Sequence, residues 1–197
     1  MQRRKPTIWP LIFVVLAALG CSALDKARRE IAEAGKPKTL TSSNGKYQIS
    51  IPGDWSETSK LNEQATIQAA KLADELYVVV ITEDKTDFAD DMTLEKYTGI
   101  IIEQMKGRVT DAEASEPVSL TVNGNNATRF ELKGTISSLK AVYVCTIVET
   151  KGSFNQVLGW TLNSRFKENK PKLVSVEESF SEVSGDLQSP PPPKPKE

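Results

Sequence analysis

The run Val118-Ser-Leu-Thr-Val-Asn-Gly-Asn-Asn-Ala-Thr-Arg-Phe-Glu-Leu132 reads as two strands folded back on each other. Val118, Leu120 and Val122 alternate with polar residues, which is the period of a half-buried strand. Asn123-Gly124 then supplies the two residues that accept a left-handed backbone, the strongest short hairpin signal. Thr128, Phe130 and Leu132 return on the same period. Downstream, Lys133-Gly134 predicts a second turn. Ala141, Tyr143, Cys145 and Ile147 form a long strand, and Lys151-Gly152 turns into Phe154, Gln156, Leu158 and Trp160. Four strands joined by short turns make an antiparallel meander. A last helix follows, with Phe166, Leu173, Val176 and Phe180 on one face. Pro171 fits only in the first turn of that helix, where no backbone N–H is needed.

Upstream, Thr93 is a good N-cap for a helix that puts Leu94, Tyr97, Ile101 and Met105 on one face and ends at Gly107. Lys96 stands where a capping box would have an acid. Before it come three strands. Tyr47, Ile49 and Ile51 alternate, then Pro52-Gly53-Asp54 turns and Trp55 folds back onto the core. Thr66 to Lys71 and Glu75 to Thr82 are joined at Ala73-Asp74. Leu76-Tyr-Val-Val-Val-Ile81 is apolar throughout, which predicts a central strand covered on both faces. The order is three strands, helix, four strands, helix. This is an α+β layout, a mostly antiparallel β-sheet flanked by helices. The domain is drawn over residues 40–183, long enough to bury roughly two-thirds of its unfolded surface without staples.

Outside the domain the composition changes. Arg3, Arg4 and Lys5 precede an apolar run from Ile8 to Gly20. A spanning helix needs about 20 apolar residues. This run is shorter, contains Pro10, and fits the hydrophobic region of a secretory signal peptide. It ends in Ala18-Leu19-Gly20-Cys21, which resembles the lipobox read by lipoprotein signal peptidase. Leu usually stands three places before the cysteine with a small residue two before, so Ala18 and Leu19 depart from the commonest form. The expectation is a lipoprotein signal peptide over 1–20, cleavage between Gly20 and Cys21, and lipidation of Cys21. Stable attachment takes more than one acyl chain, and bacterial lipoproteins resemble one another in carrying two or three. Ser22 is not the aspartate of enteric inner-membrane retention, so the outer membrane is favoured over the inner. Residues 21–39 form the lipidated N-terminus and a charged spacer, with Leu24, Ala27 and Ile31 too sparse for a core helix. Residues 184–197 contain Ser189-Pro-Pro-Pro-Pro-Lys-Pro-Lys-Glu and read as a disordered tail with polyproline II character. A solvated tail is favoured over a ligand for a proline-binding module.

At the level of families, the chain resembles the PsbP/DcrB superfamily. The resembling pieces are Tyr47-Gln-Ile-Ser-Ile-Pro-Gly-Asp-Trp55, Met92-Thr-Leu-Glu-Lys-Tyr97, Val122-Asn-Gly-Asn-Asn-Ala127 and Val176-Glu-Glu-Ser-Phe180. They run in family order across nearly the whole domain, and each is mainly core and turn chemistry. The resemblance implies an α/β/α sandwich around an antiparallel sheet. It also implies a binding or assembly factor, since members include extrinsic photosystem II subunits, a bacterial envelope lipoprotein and a Ran-binding nuclear protein. The lipobox makes the bacterial branch the nearer comparison. The family has no shared catalytic motif to carry over, and a fold by itself supports only a broad class.

Composition narrows the chemistry. There are two cysteines and no histidine in 197 residues. With Cys21 lipidated, Cys145 has no intramolecular partner, and its alternation with Tyr143 and Ile147 makes it a buried, inert thiol. No histidine means no Ser-His-Asp or Cys-His catalysis and no imidazole metal site. Charge is nearly balanced, with no basic patch that points to nucleic acid. The acidic run Glu83, Asp84, Asp87, Asp90 and Asp91 has oxygen ligands for a cation. It lacks EF-hand spacing and precedes a helix N-terminus, where acids are favoured anyway. Ser137-Ser-Leu-Lys140 matches Ser-x-x-Lys, but it opens a strand after a turn and has no companion motifs. Asn126-Ala-Thr128 matches a glycosylation acceptor and reads as turn chemistry. Trp55, Trp160, Tyr47 and Tyr143 could line a groove between sheet and helix, with core packing favoured. No catalytic, cofactor or metal set is assigned. The expectation is a lipid-anchored, non-enzymatic binding or assembly module facing the periplasm, held by membrane lipid through Cys21 and serving an envelope protein partner. The alternatives are an envelope hydrolase using carboxylates or a Ser/Lys pair, and a small-molecule or metal carrier.

Overall fold

The computed structural model describes residues 35–183. In chain order the elements are β1 (Lys38–Thr41), β2 (Tyr47–Ile51), β3 (Ser56–Glu57), β4 (Ile67–Lys71), β5 (Leu76–Asp84), α1 (Leu94–Lys106), β6 (Thr110–Ala114), β7 (Val118–Val122), β8 (Asn125–Ile136), β9 (Leu139–Glu149), β10 (Ser153–Leu162), α2 (Phe166–Glu178) and β11 (Ser181–Glu182). All seven expected strands and both expected helices are present. Four short strands, β1, β3, β6 and β11, add to them.

All strand pairs are antiparallel. The large sheet runs β3-β4-β5-β10-β9-β8-β6, with β7 also on β8, and the small sheet runs β1-β2-β11. Alternation along each strand sends side chains to two separate cores. Cys145, Ile147, Phe130, Leu132 and Phe154 meet Tyr97, Ile101 and Ile102 of α1 on one face. Val78, Val80, Val144, Val148 and Val157 meet Leu173 and Val176 of α2 on the other, with Tyr47, Ile49 and Ile51 of the small sheet. The architecture is therefore α+β in three layers. β5 lies between β4 and β10, with Leu76, Val78, Val79 and Val80 buried, as its continuous apolar run predicts. Trp55 folds back on its own turn, its N–H donating to Pro52 O at 3.0 Å, and is fully buried.

Two expectations need correction. Lys133-Gly134 is not a turn. β8 continues to Ile136, and the turn falls at Ser137-Ser138, both left-handed (φ 49° and 70°), closing the pair Ile136↔Leu139. Gly134 instead faces β6, where the two backbones approach closely. β6 and β7 together form one bent edge along β8, interrupted around Pro117, with a register shift between Thr110 and Glu113. Pro171 lies in the second turn of α2, because the helix begins at Phe166 after a 3-10 turn at Asn163–Arg165. Its missing N–H is outweighed by burial of Leu173, Val176 and Phe180 against the sheet.

The start of α1 is as expected. The Thr93 side chain accepts from Lys96 N at 3.2 Å. Thr93→Ala should cost about 1 kcal/mol, the usual worth of an N-cap, measured as a shift in the urea midpoint. Thr93→Ser keeps the acceptor and should stay near wild type.

Candidate functional site

The α2 face of the large sheet holds a polar cluster inside an apolar core. Leu173, Val176, Glu177 and Phe180 fall at i, i+3, i+4 and i+7, so the stripe that docks α2 carries an acid inward. Directly below, Arg129 of β8 and Thr146 of β9 are cross-strand partners. Arg129 Nε donates to Thr146 Oγ1 at 2.8 Å, and Thr146 Oγ1 donates to Glu177 Oε2 at 2.6 Å. Arg129 Nε lies 3.4 Å from the same Oε2, while Nη1 pairs with Glu178 Oε1 at 3.0 Å. A Cβ at Gly159 would sit 3.1 Å from Glu177 Oε1, so glycine there makes room for the carboxyl. Glu177 is fully buried. Burial pushes its carboxyl up to about 8, against the pull of Thr146, Arg129 and the Gly159 N–H. Glu177 Oε1 and Arg129 Nη2 have no partner among the described residues. The cluster ties the last turn of α2 to the middle of the sheet.

Arg129 also reaches a surface groove. One wall is α2, with Phe166, Lys170 and Val174, and the other is the β6–β7 edge, with Ser115, Val118 and Leu120. Arg129, Glu131 and Lys133 of β8 form the floor. Two adjoining hollows of about 350 and 320 Å³ share Ser115 and Glu131. Lys170 crosses between them, pairing with Glu131 at 2.6 Å. Val118 is 64% exposed, so the apolar wall is open to solvent.

The residues singled out from sequence are scattered. Gly20 and Cys21, with the rest of the expected signal peptide, most of the expected spacer and residues 184–197, lie outside the described residues. Tyr47 and Trp55 are buried on the α2 side, with Tyr47 stacked on Phe180. Trp160 and Tyr143 are half-buried on the α1 side, where Trp160 stacks on Tyr77 with ring centroids 5.3 Å apart. The four aromatics therefore do not share a groove, because alternation places them on opposite faces. Within the acidic run, Glu83 turns inward to accept from the Tyr97 hydroxyl and from Gln156 Nε2, while Asp91 pairs with Lys96 at the start of α1. Ser137 occupies the tight turn and Lys140 lies opposite Thr135 in β9. Asn126 is in strand β8 rather than in the turn, and Thr128 is buried, its hydroxyl 2.7 Å from that of Thr98. Cys145 is fully buried, as its alternation predicts, and burial pushes its thiol well up.

No family model matches the sequence, and no curated protein does. Solved structures do. Cyanobacterial PsbP from Synechocystis sp. PCC 6803 is 12% identical with a TM-score of 0.59, over 76% of this chain and 94% of that one. This chain has a PsbP-like fold. LpqN of Mycobacterium tuberculosis, involved in cell envelope biogenesis, is 11% identical with a TM-score of 0.54, over 75% of this chain and 91% of that one. A protein from Bacteroides thetaiotaomicron is 9% identical with a TM-score of 0.52, over 78% of this chain and 51% of that one. At such identities the likeness carries the fold alone. The PsbP-like core supplies the sheet and helix positions, while Glu177, Arg129 and the groove are read from this chain's own residues.

Proposed function

We propose that this protein is a bacterial lipoprotein whose PsbP-like domain works at the cell envelope as a binding or assembly module rather than an enzyme. The reading is carried by Ala18-Leu19-Gly20-Cys21 at the end of a basic-then-apolar leader. Lipid on Cys21 holds the domain at a membrane, with the outer membrane favoured. LpqN, which shares the fold, works in cell envelope biogenesis. The open wall at Val118 and the hollows beside α2 offer a surface for an extended segment of a partner protein.

The anchor is tested by palmitate labelling and cell fractionation. Wild type should carry label and sediment with membranes. Cys21→Ser should lose the label and leave the membrane fraction, and equal labelling would overturn the anchor. For the binding reading, a photo-crosslinker at Val118 should capture one defined envelope protein in intact cells. Leu72, 73% exposed at the turn between β4 and β5, is the control position. Identical products from both positions would sink the groove as the partner surface.

A further inference from the structure

The strands give the domain two distinct ends. β4 and β5 are joined at Leu72–Asp74, β8 and β9 at Ser137-Ser138, and β10 leads through Asn163–Arg165 into α2. With antiparallel pairing in the order β4-β5-β10-β9-β8, all three connections fall at one end of the large sheet. The chain enters the domain at that end too. Lys38 begins β1 opposite Ile51, and its Nζ donates to Trp55 O at 3.2 Å. Asp54, next to Trp55, pairs at 2.6 Å with Lys71, the neighbour of Leu72. The far end holds the β9–β10 turn, where the Tyr47 hydroxyl lies 2.8 Å from Ser153 Oγ, and Val183, whose N–H donates to Lys46 O.

The two ends differ in chemistry. The entry end carries bare leucines at two tips, Leu72 at 73% exposure and Leu139 at 58%. Three strand spacings, about 14 Å, separate the two turns. The acids beside Leu72 are held by cations, Asp74 by Lys71 at 2.7 Å and Glu75 by Arg165 at 3.3 Å. Lys140 follows Leu139 and shares a hollow with Asp111 and Lys133. The far end carries the acidic run, where Asp84, Asp87 and Asp90 make no ion pair among the described residues and Asp91 pairs with Lys96. A single exposed leucine is ordinary. Two at the tips of one end, with the chain entering beside them and the acids gathered at the other end, define a surface. We propose that this end rests on the bilayer that holds Cys21, with Leu72 and Leu139 at the boundary between headgroups and acyl chains. The inference rests on the lipid anchor. Apolar tips gain by leaving water for that boundary. Lys71 and Lys140 keep their charges at headgroup level, and the acidic end points away from anionic lipid. Residues 21–38 reach at most about 60 Å. The tether therefore keeps the leucines at high effective concentration over the bilayer, and weak intrinsic affinity suffices. Val118, paired with Arg129 midway along β8, stays clear of the membrane and open to a partner.

The test places a fluorophore beside each leucine on the lipidated chain, in vesicles of phosphatidylcholine and phosphatidylglycerol that contain a nitroxide lipid. Ala73→Cys and Ser138→Cys carry the label at the entry end, and Lys151→Cys carries it at the far end. All three positions are exposed, while Cys145 is buried and stays unlabelled. Labels at positions 73 and 138 should be quenched several-fold more than the label at 151. Leu72→Asp together with Leu139→Asp should bring them down to the level of 151, while the chain still floats with the vesicles and keeps its urea midpoint. Equal quenching at all three positions in a floating chain overturns the proposal and leaves the anchor standing. Quenching that survives both leucine substitutions overturns it as well. Labels shielded from aqueous iodide but not quenched by lipid assign this end to a second copy, which also sinks it. A chain that does not float removes the anchor and the proposal together.

Discussion

The domain is expected to lose stability steadily as pH rises from 4.5 to about 8, and Glu177→Gln is expected to remove most of that slope. In the unfolded chain the carboxyl gives up its proton near 4.5, whereas in the folded state burial holds the proton until about 8. Across that window the folded state binds more protons, so stability falls as pH rises. Below the window both states are protonated and the group contributes nothing. Above it both are ionised, and the full cost of a buried carboxylate is present. At about 1.4 kcal/mol per unit, the cost is on the order of 3–5 kcal/mol. Glu177→Gln keeps the shape and an acceptor for Thr146 while removing the charge. Urea titrations at about pH 5 and about pH 8 should therefore separate for wild type and nearly coincide for the variant. The other shifted groups do not confuse the window. Lys71 is raised to about 12, Asp74 is lowered by its hydrogen bond to Lys71, and burial raises Tyr97, Tyr143 and Cys145. Arg129→Met supplies a second check. Arg129 pulls the carboxyl down, so its loss should move the upper end of the window higher. A wild-type profile that is flat from pH 4.5 to 8 would sink the account.

Glu177 also shows how far the sequence could be read. The spacing of Leu173, Val176 and Phe180 is visible, and position 177 completes the same stripe. Charge alone makes that glutamate look solvated. The signal that it turns inward is the stripe position, and its partners Arg129 and Thr146 lie in strands far away in sequence. The long strands and both helices were legible because each carries enough residues for its period to show. β3 and β11 have two residues each, and a two-residue strand has no period. β6, Thr-Asp-Ala-Glu-Ala, reads as polar because it is a charged edge strand, the usual guard against edge-to-edge pairing. Alternation showed that Tyr143 and Trp160 leave their strands on one side. It could not say that this side is opposite to Tyr47 and Trp55, because that depends on which face each helix covers. The groove was not legible either. Its walls come from β6, β7 and α2, and only the pairing of β8 with both edge strands brings them together.

Gly134→Ala is expected to destabilise the domain by about 2–3 kcal/mol, the range of an overpacked core, while Gly152→Ala stays within about 0.5 kcal/mol. The two glycines look alike in sequence, since each follows a lysine between apolar runs. They differ in what a methyl group would meet. At Gly152 nothing lies within 4 Å. At Gly134 the new Cβ would be 2.3 Å from Val109 Cγ1, 2.8 Å from Thr110 O and 3.3 Å from Ala112 Cα. A strand glycine commonly marks a bulge or a close backbone approach, and here it marks both. β6 shifts register between Thr110 and Glu113, with Asp111 left-handed at φ 52°. The Val109 methyl can rotate away, but the Thr110 carbonyl cannot move without breaking the bulge. A double-mutant cycle separates these contributions. Val109→Ala in the Gly134→Ala background should recover only the part due to the methyl contact. Full recovery would mean that side-chain crowding, and not the close pairing of bulged β6 with β8, keeps glycine at this position. Partial recovery would place the constraint in the backbone, because the bulge that brings β6 so close to β8 leaves no room for a Cβ at Gly134.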